Sequence, residues 1–451
     1  MNFSTLSLPQ EMLTNLDSLG YKKMTPIQAQ ALPLILDNKD VIAQAKTGSG
    51  KTAAFGIGLL NRLDVKKFRV QSLVLCPTRE LADQVAKELR KIARFKHNIK
   101  ILILCGGESF GKQLGSLSHQ AHIIVGTPGR VLKHLNKDSL NLENLETLVF
   151  DEADRMLDMG FMEEIQSVLE YVPSERQTLL FSATYDDEII EISKIIQKDA
   201  ISVKTVSTES ANKIDEYFYE VNSKLDALIK IFSTYEPENV IVFTNTKIEA
   251  KELAESLQKA NIDAIAIHGD LEQYERNDVL VQFANKSCPI LVATDVAARG
   301  LDIKELSMVV NYDIPHGSET YTHRIGRTGR AGADGIAITL YNSFEIDKAD
   351  EYKNATRNFE SSENLKVKAG FEMKPQYVTL VIEGGKKDKV RAGDLLGALT
   401  GDAGLKGSSI GKIDIYDRQS YVAIERELIK EAHAQLSKGK IKGKKFSVWI
   451  L

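Results

Sequence analysis

Two runs of residues suited to phosphate chemistry stand far apart in this 451-residue chain, AKTGSGKT at 45–52 and HRIGRTGR at 323–330. In the first, Thr47, Gly48, Ser49 and Gly50 form a turn whose backbone amides can approach phosphate oxygens at the start of a helix. Lys51 can reach the outer phosphates and Thr52 can hold Mg²⁺. Ala45 stands where the strict pattern begins with glycine, yet the flanking strand and helix patterns favour a phosphate loop over an incidental glycine turn. Asp151 and Glu152 close an apolar strand run, and the carboxyl ends of strands are where α/β folds place ligands. The aspartate can hold Mg²⁺ through water, and the glutamate can orient and polarise an attacking water. Taken alone, such an acidic pair is as readily a helix cap. In the second run, Arg327 and Arg330 can stabilise a phosphoryl group in transfer; the plainer alternatives are a solvated basic loop or one that grips RNA phosphates. The half of the chain that carries this run has no phosphate loop of its own. The expectation is therefore one nucleotide site split between two domains, with hydrolysis coupled to their closure.

These groups need sheets to position them. From 40 to 203 the runs DVIAQA, SLVLCP, IKILIL, HIIVGTP, TLVFDEA and TLLFSAT alternate with helical patterns, and NVIVFTNT, AIAIHGD, PILVATD, MVVNYD and GIAITLY repeat the arrangement downstream. Buried parallel strands joined by crossover helices read this way. The expected organisation is an α/β domain over 1–206, a polar hinge at 207–213, a second α/β domain over 214–357, a linker over 358–373 and a C-terminal module over 374–451. The module reads strand, helix, strand, strand, helix, strand, which suits a ferredoxin-like βαββαβ fold.

Composition narrows the setting. Hydrophobic content of 43% and charge of 27% are those of folded globular proteins, and no apolar run is long enough to span a bilayer. The N-terminus MNFSTLSLPQEM has neither the basic nor the apolar region of a secretion signal. A cytoplasmic location and no membrane partner are expected. Cys76, Cys105 and Cys288 are odd in number and widely spaced, against a disulfide framework or zinc site. Net charge is −4, but residues 366–451 carry 17 Lys and Arg against 10 Asp and Glu. That basic end is the first place to look for nucleic acid.

With these motifs in place, the chain resembles the DEAD-box family of RNA-dependent ATPases, whose motifs it matches in order through both α/β domains. The resemblance implies two tandem RecA-like parallel-sheet domains, ATP and Mg²⁺ as cofactors, and RNA as partner. Thr25, Pro26, Ile27 and Gln28, with Phe3 upstream, resemble the adenine-reading motif, which implies that Gln28 hydrogen-bonds adenine while Phe3 stacks on it. PTREL at 77–81, Gly106 with Gly107, and TPGR at 127–130 resemble the RNA-contacting motifs of the first domain, implying contacts from Thr78, Arg79, Gly107, Thr127 and Arg130. Taken singly, each reads as well as a helix start or turn. SAT at 182–184 resembles the motif linking ATP state to closure, through Ser182 and Thr184. In the second domain, Asn245 with Thr246, Gln273 with Arg276, and TDVAARGLD from Thr294 resemble the remaining motifs. They imply RNA contacts from Asn245, Arg276 and Thr294, a ribose contact from Asp302, and a coupling role for His323. ATP and single-stranded RNA together would close the domains, bend one strand and open a short duplex, and hydrolysis would reopen the clamp. Contacts confined to one backbone leave base sequence unread.

Target choice then falls to the basic module, which resembles an RNA-recognition motif (RRM). Such modules stack bases on sheet aromatics. Here Tyr421 fills one such position, whereas Gln419 and Ile424 occupy others and Thr379 stands near the first-strand position. Lysines compensate in number, Lys386 and Lys387 in the first loop and Lys442 in KGKIKGKK; a solubilising loop is the plain alternative. The stretches GGKKDKVRAGDLLGALTG and KGKIKGKKF resemble the branch of the family whose C-terminal domain recognises a hairpin of 23S ribosomal RNA. That implies large ribosomal subunit precursors as partners. A monomeric ATP-dependent RNA helicase targeted to that hairpin is the leading expectation; an ATP-gated RNA clamp and a general RNA chaperone are the alternatives.

Overall fold

The computed structural model describes residues 1–45, 48–185, 187–204, 214–298, 306–329, 334–402 and 404–451. Thr47, Asp302, Arg330 and the hinge at 207–213 lie outside the described residues. The chain divides into two units near residue 210.

The first unit is built on seven strands, β1 (Val41–Gln44), β2 (Ser72–Leu75), β3 (Ile101–Leu104), β4 (Ile123–Gly126), β5 (Thr147–Asp151), β6 (Gln177–Ser182) and β7 (Ile201–Lys204). Their order is β3-β4-β2-β5-β6-β1-β7, with every pairing parallel. Near-continuous Val, Ile and Leu runs produce this sheet because helices cover both faces, leaving each central strand without a solvent side. Two apolar clusters result. One contains Phe55, Leu89 and Phe181, and the other Leu73, Phe150 and Ile189. Strands β5, β6 and β1 are neighbours, so the segments that leave their carboxyl ends, at Asp151, Ser182 and Ala45, emerge side by side.

The second unit repeats the plan with β8 (Ile214–Glu220), β9 (Val240–Thr244), β10 (Ala264–Ile267), β11 (Ile290–Thr294), β12 (Met308–Asn311), β13 (Gly335–Tyr341) and β14 (Asn358–Ser361). The order is β10-β11-β9-β12-β13-β8-β14, again parallel. β14 takes the first residues assigned to the linker from sequence, because Asn358 to Ser361 pair with Tyr217 to Glu220 of β8.

The C-terminal module lies in this second unit. It has β15 (Tyr377–Ile382), β16 (Ile410–Ile415), β17 (Ser420–Glu425) and β18 (Val448–Ile450), in antiparallel order β16-β17-β15-β18. Helices Ala392–Gly397 and Ile429–Lys438 pack on one face through Leu395, Ala432 and Leu436. This is the expected βαββαβ fold. Among the described residues, no helix is long and apolar enough to cross a membrane.

Candidate nucleotide and RNA sites

The phosphate loop follows β1 and opens the helix Lys51–Arg62. Gly48 and Gly50 adopt φ of 86° and 91°, a region costly for residues with a Cβ. A Cβ on Gly50 would also stand 2.5 Å from Gln28 Nε2. Gln28 is only 1% exposed. Its Oε1 accepts from Thr25 N at 2.9 Å and its Nε2 donates to Gly50 O at 3.1 Å. The side chain expected to read adenine is thus tied to the phosphate loop itself. Phe3, expected to stack on the base, is buried, with its ring edge to face with Tyr21.

Lys51 is 6% exposed, and Asp151 and Glu152 at the end of β5 are also buried. Among the described residues, Lys51 Nζ, Ser49 Oγ and Ser182 Oγ are buried without a hydrogen-bond partner. Orphaned polar atoms of this kind are rare because each carries its full desolvation cost. Their clustering beside a glycine loop fits a site completed by phosphate oxygens. Burial pushes the Asp151 carboxyl up to about 7, against the pull of the Lys51 ammonium, with Glu152 and Asp154 adding to the rise. A divalent cation would hold such a carboxyl ionised. No three His, Cys, Asp or Glu side chains gather to hold a metal among the described residues. Mg²⁺ needs no such cage, since phosphates and waters supply most of its ligands.

Glu152 has the left-handed φ of 57°, and its Oε2 accepts from Arg155 Nη1 at 2.7 Å, both side chains being buried. Asp154, given no role from sequence, ties the acidic motif to the next strand. Its Oδ2 accepts from the backbone amides of Ala183 and Thr184 at 3.0 and 3.2 Å. Ala45 N donates to Ser182 O at 2.9 Å. Phosphate loop, acidic motif and Ser182–Thr184 therefore form one connected body.

A second group gathers around the loop after β3. Arg79 Nη1 donates to Gly106 O at 3.1 Å and its Nη2 pairs with Glu108 at 3.4 Å. Arg130 Nη1 donates to Glu108 O at 3.0 Å. The structure thus brings together Arg79, Gly107 and Arg130, which sequence drew from three separate motifs. Thr78 and Thr127 stand at the N-caps of the helices Arg79–Ile92 and Pro128–Leu135; Thr78 accepts from Leu81 N. Its hydroxyl accordingly performs the helix-capping role that the plainer reading assigned.

In the second unit the organising residue is Arg324, 1% exposed. Its Nε and Nη2 each donate to Asp295 at 2.7 Å, Nη1 donates to Asp313 O at 2.9 Å, and Nη2 to Asn245 Oδ1 at 3.0 Å. The guanidinium also lies over the Phe243 ring, 5.1 Å from its centroid. One buried fork thereby joins Asn245, the segment after Thr294, and the arginine run. Sequence reading passed over Arg324 because its neighbours Arg327 and Arg330 claimed the phosphate role. Arg327 is buried, and His323 is in the same helix, Ser318–Ile325, as Arg324. Arg276 donates to His268 O and Ala297 O, both at 3.4 Å.

The module departs from expectation at its sheet face. Tyr421 is 2% exposed, and its hydroxyl donates to Asp278 Oδ1 at 2.7 Å on the helix Gln273–Ala284. Thr379 Oγ1 accepts from Asn285 Nδ2 and donates to Ser287 Oγ, both at 2.8 Å. Val281, Val381, Tyr421, Trp449 and Leu451 form an apolar cluster there. Arg426 and Asp263 pair at 2.8 Å. Tyr421 is thus a packing residue against the α/β sheet's own helix, and the base-stacking role expected of it is corrected. At one end of the module, Lys442 Nζ donates to Lys389 O at 3.0 Å and lies 3.8 Å from Asp394. That bond brings the lysine-rich C-terminal loop against the turn carrying the exposed Lys386 and Lys387.

Residues 25–192 match the DEAD/DEAH box helicase family, 223–332 the helicase conserved C-terminal domain, and 379–450 the DbpA RNA binding domain. The chain is 50% identical to the "ATP-dependent RNA helicase DbpA" of Escherichia coli (strain K12), covering 100% of this chain and 99% of that protein. It is 47% identical to the "DEAD-box ATP-dependent RNA helicase CshA" of Geobacillus kaustophilus, over 79% of this chain and 76% of the relative. Among solved structures, it is similar to S. cerevisiae Dbp5 bound to RNA and ADP BeF3, with a TM-score of 0.72 and 32% identity. That similarity covers 80% of this chain and 96% of the other. With the connected nucleotide motifs and the basic C-terminal module, these similarities establish that the chain belongs to the DEAD-box family of ATP-dependent RNA helicases.

Proposed function

We propose that this ATP-dependent helicase is targeted by its C-terminal module to a hairpin of 23S ribosomal RNA, opens short duplexes nearby, and acts in large ribosomal subunit assembly as a cytoplasmic monomer. The observation that carries the reading is similarity along the whole chain, module included, to the E. coli protein named DbpA. The paired lysine segments around Lys386, Lys387 and Lys442 support it as a phosphate-gripping end.

In this account Lys51, Ser49 and the loop amides receive the ATP phosphates, while Thr52 and Asp151 hold Mg²⁺. Bound there, Mg²⁺ neutralises charge on the phosphates. Glu152 orients the attacking water, and Arg327 and Arg330 stabilise the transferring phosphoryl when the two α/β units close. Thr78, Arg79, Gly107, Thr127, Arg130, Asn245, Arg276 and Thr294 grip one RNA backbone. Ser182, Thr184 and His323 couple that grip to the nucleotide, and Asp302 contacts its ribose.

The test is an ATPase titration of the full chain with RNA containing the 23S hairpin against unrelated RNA of equal length. Half-maximal stimulation should need far less of the hairpin RNA. Equal requirement for both would refute targeting. Strand displacement on a duplex beside the hairpin separates a helicase from an ATP-gated clamp.

A further inference from the structure

Gln113 is buried at 4% exposure on the helix Phe110–Leu117, and no motif in the sequence assigns it a role. Its Nε2 donates to Cys105 O at 3.0 Å, which directs Oε1 the other way. That oxygen accepts from Arg130 Nη1 at 2.7 Å and lies 3.1 Å from His134 Nε2. An amide oxygen has no proton to give, so His134 Nε2 must carry one. His134 is fully buried, with Nδ1 2.8 Å from Ser139 Oγ and its ring stacked on Phe110 at 4.2 Å. Burial, with the charges of Arg130 and Lys133, pushes its imidazole down to about 4, so it is neutral at pH 7, and the Gln113 oxygen places its one proton on Nε2.

Were Gln113 to turn its amide over, Nε2 would face two donors and Oε1 would face a carbonyl, leaving several buried groups unsatisfied. The amide orientation is therefore locked from two sides, and with it the oxygen on which Arg130 rests. We propose that Gln113 is a positioning residue for RNA binding, holding the Arg130 guanidinium in place, and that His134 fixes which end of the carboxamide Arg130 meets. The proposal rests on the reading of Arg130 as an RNA contact.

The test measures anisotropy of labelled single-stranded poly(U) RNA binding to the full chain, with Mg²⁺ and a non-hydrolysable ATP analogue. Gln113→Leu, which keeps volume but not hydrogen bonding, should weaken binding about tenfold, the scale of one hydrogen bond to a charged group. Arg130→Ala should weaken it at least as much, and the double variant should be no weaker than Arg130→Ala alone, because both act through one contact. Fully multiplicative effects, or unchanged binding in Gln113→Leu, overturn the proposal. Unchanged binding in Arg130→Ala removes the underlying RNA reading as well. Should Gln113→Leu fail to fold, His134→Phe carries the test, since it keeps the ring stack and loses the donor. About threefold weaker binding that vanishes in the Arg130→Ala background supports the proposal; a loss that persists there overturns it.

Discussion

The phosphate loop and the face of the four-stranded sheet both bury polar side chains, and they treat them in opposite ways. Around the loop, Lys51 Nζ, Ser49 Oγ and Ser182 Oγ are buried with no partner among the described residues. On the sheet face, Tyr421 meets Asp278, and Thr379 meets both Asn285 and Ser287. A satisfied buried network holds two surfaces together, whereas an unsatisfied one is a standing cost that a ligand can relieve. Burial alone thus does not separate these two places; what differs is whether their buried polar atoms have partners. Arg324, with partners on every nitrogen, falls on the packing side although it sits in the arginine run.

The comparison can be broken or sharpened by substitution. Arg324→Ala leaves Asp295 and Asn245 without their shared partner and should destabilise the protein by about 3–5 kcal/mol, the scale of breaking a buried ion pair. Urea unfolding would reveal it as a lower midpoint at unchanged slope, and a loss below about 1 kcal/mol would move Arg324 out of its organising role. At the unsatisfied site, Lys51→Ala should lower RNA-stimulated ATP turnover by about 10²–10³-fold, as losing one preorganised donor does. Glu152→Gln should slow turnover about 10²-fold with ATP affinity nearly kept; equal loss of both in ATP titrations would assign Glu152 to binding instead. The smallest effect is expected on the satisfied face. Tyr421→Phe should cost about 1 kcal/mol of stability through the lost bond to Asp278 and leave hairpin RNA affinity unchanged.

Much of the fold was legible because its strands are apolar runs buried on both faces. The strands that escaped reading, β7, β8 and β14, are mostly half-buried or exposed along their length. Their sequences ISVK, IDEYFYE and NFES are accordingly mixed. The candidate residues on the phosphate loop and acidic motif were visible in the sequence through fixed spacing. Those that act through tertiary contact were not: Asp154 reaches Ala183 and Thr184 only because β5 and β6 are adjacent. The sheet aromatic Tyr421 was misread for the same reason, since nothing local to YVAI announces that the helix Gln273–Ala284 covers it. Cover by a distant segment leaves no periodic mark in the covered strand.

The most direct test of this contrast is the thermal stabilisation that Mg²⁺ and a non-hydrolysable ATP analogue give the full chain, compared for the unaltered protein, Lys51→Ala and Tyr421→Phe. Ligand at a hundred times its dissociation constant should stabilise the unaltered protein by about 2.7 kcal/mol. Tyr421→Phe should retain that gain in full, and Lys51→Ala should lose most of it. An undiminished gain in Lys51→Ala, or its loss in Tyr421→Phe, would contradict the claim that the unsatisfied cluster is the nucleotide site and the satisfied one is packing.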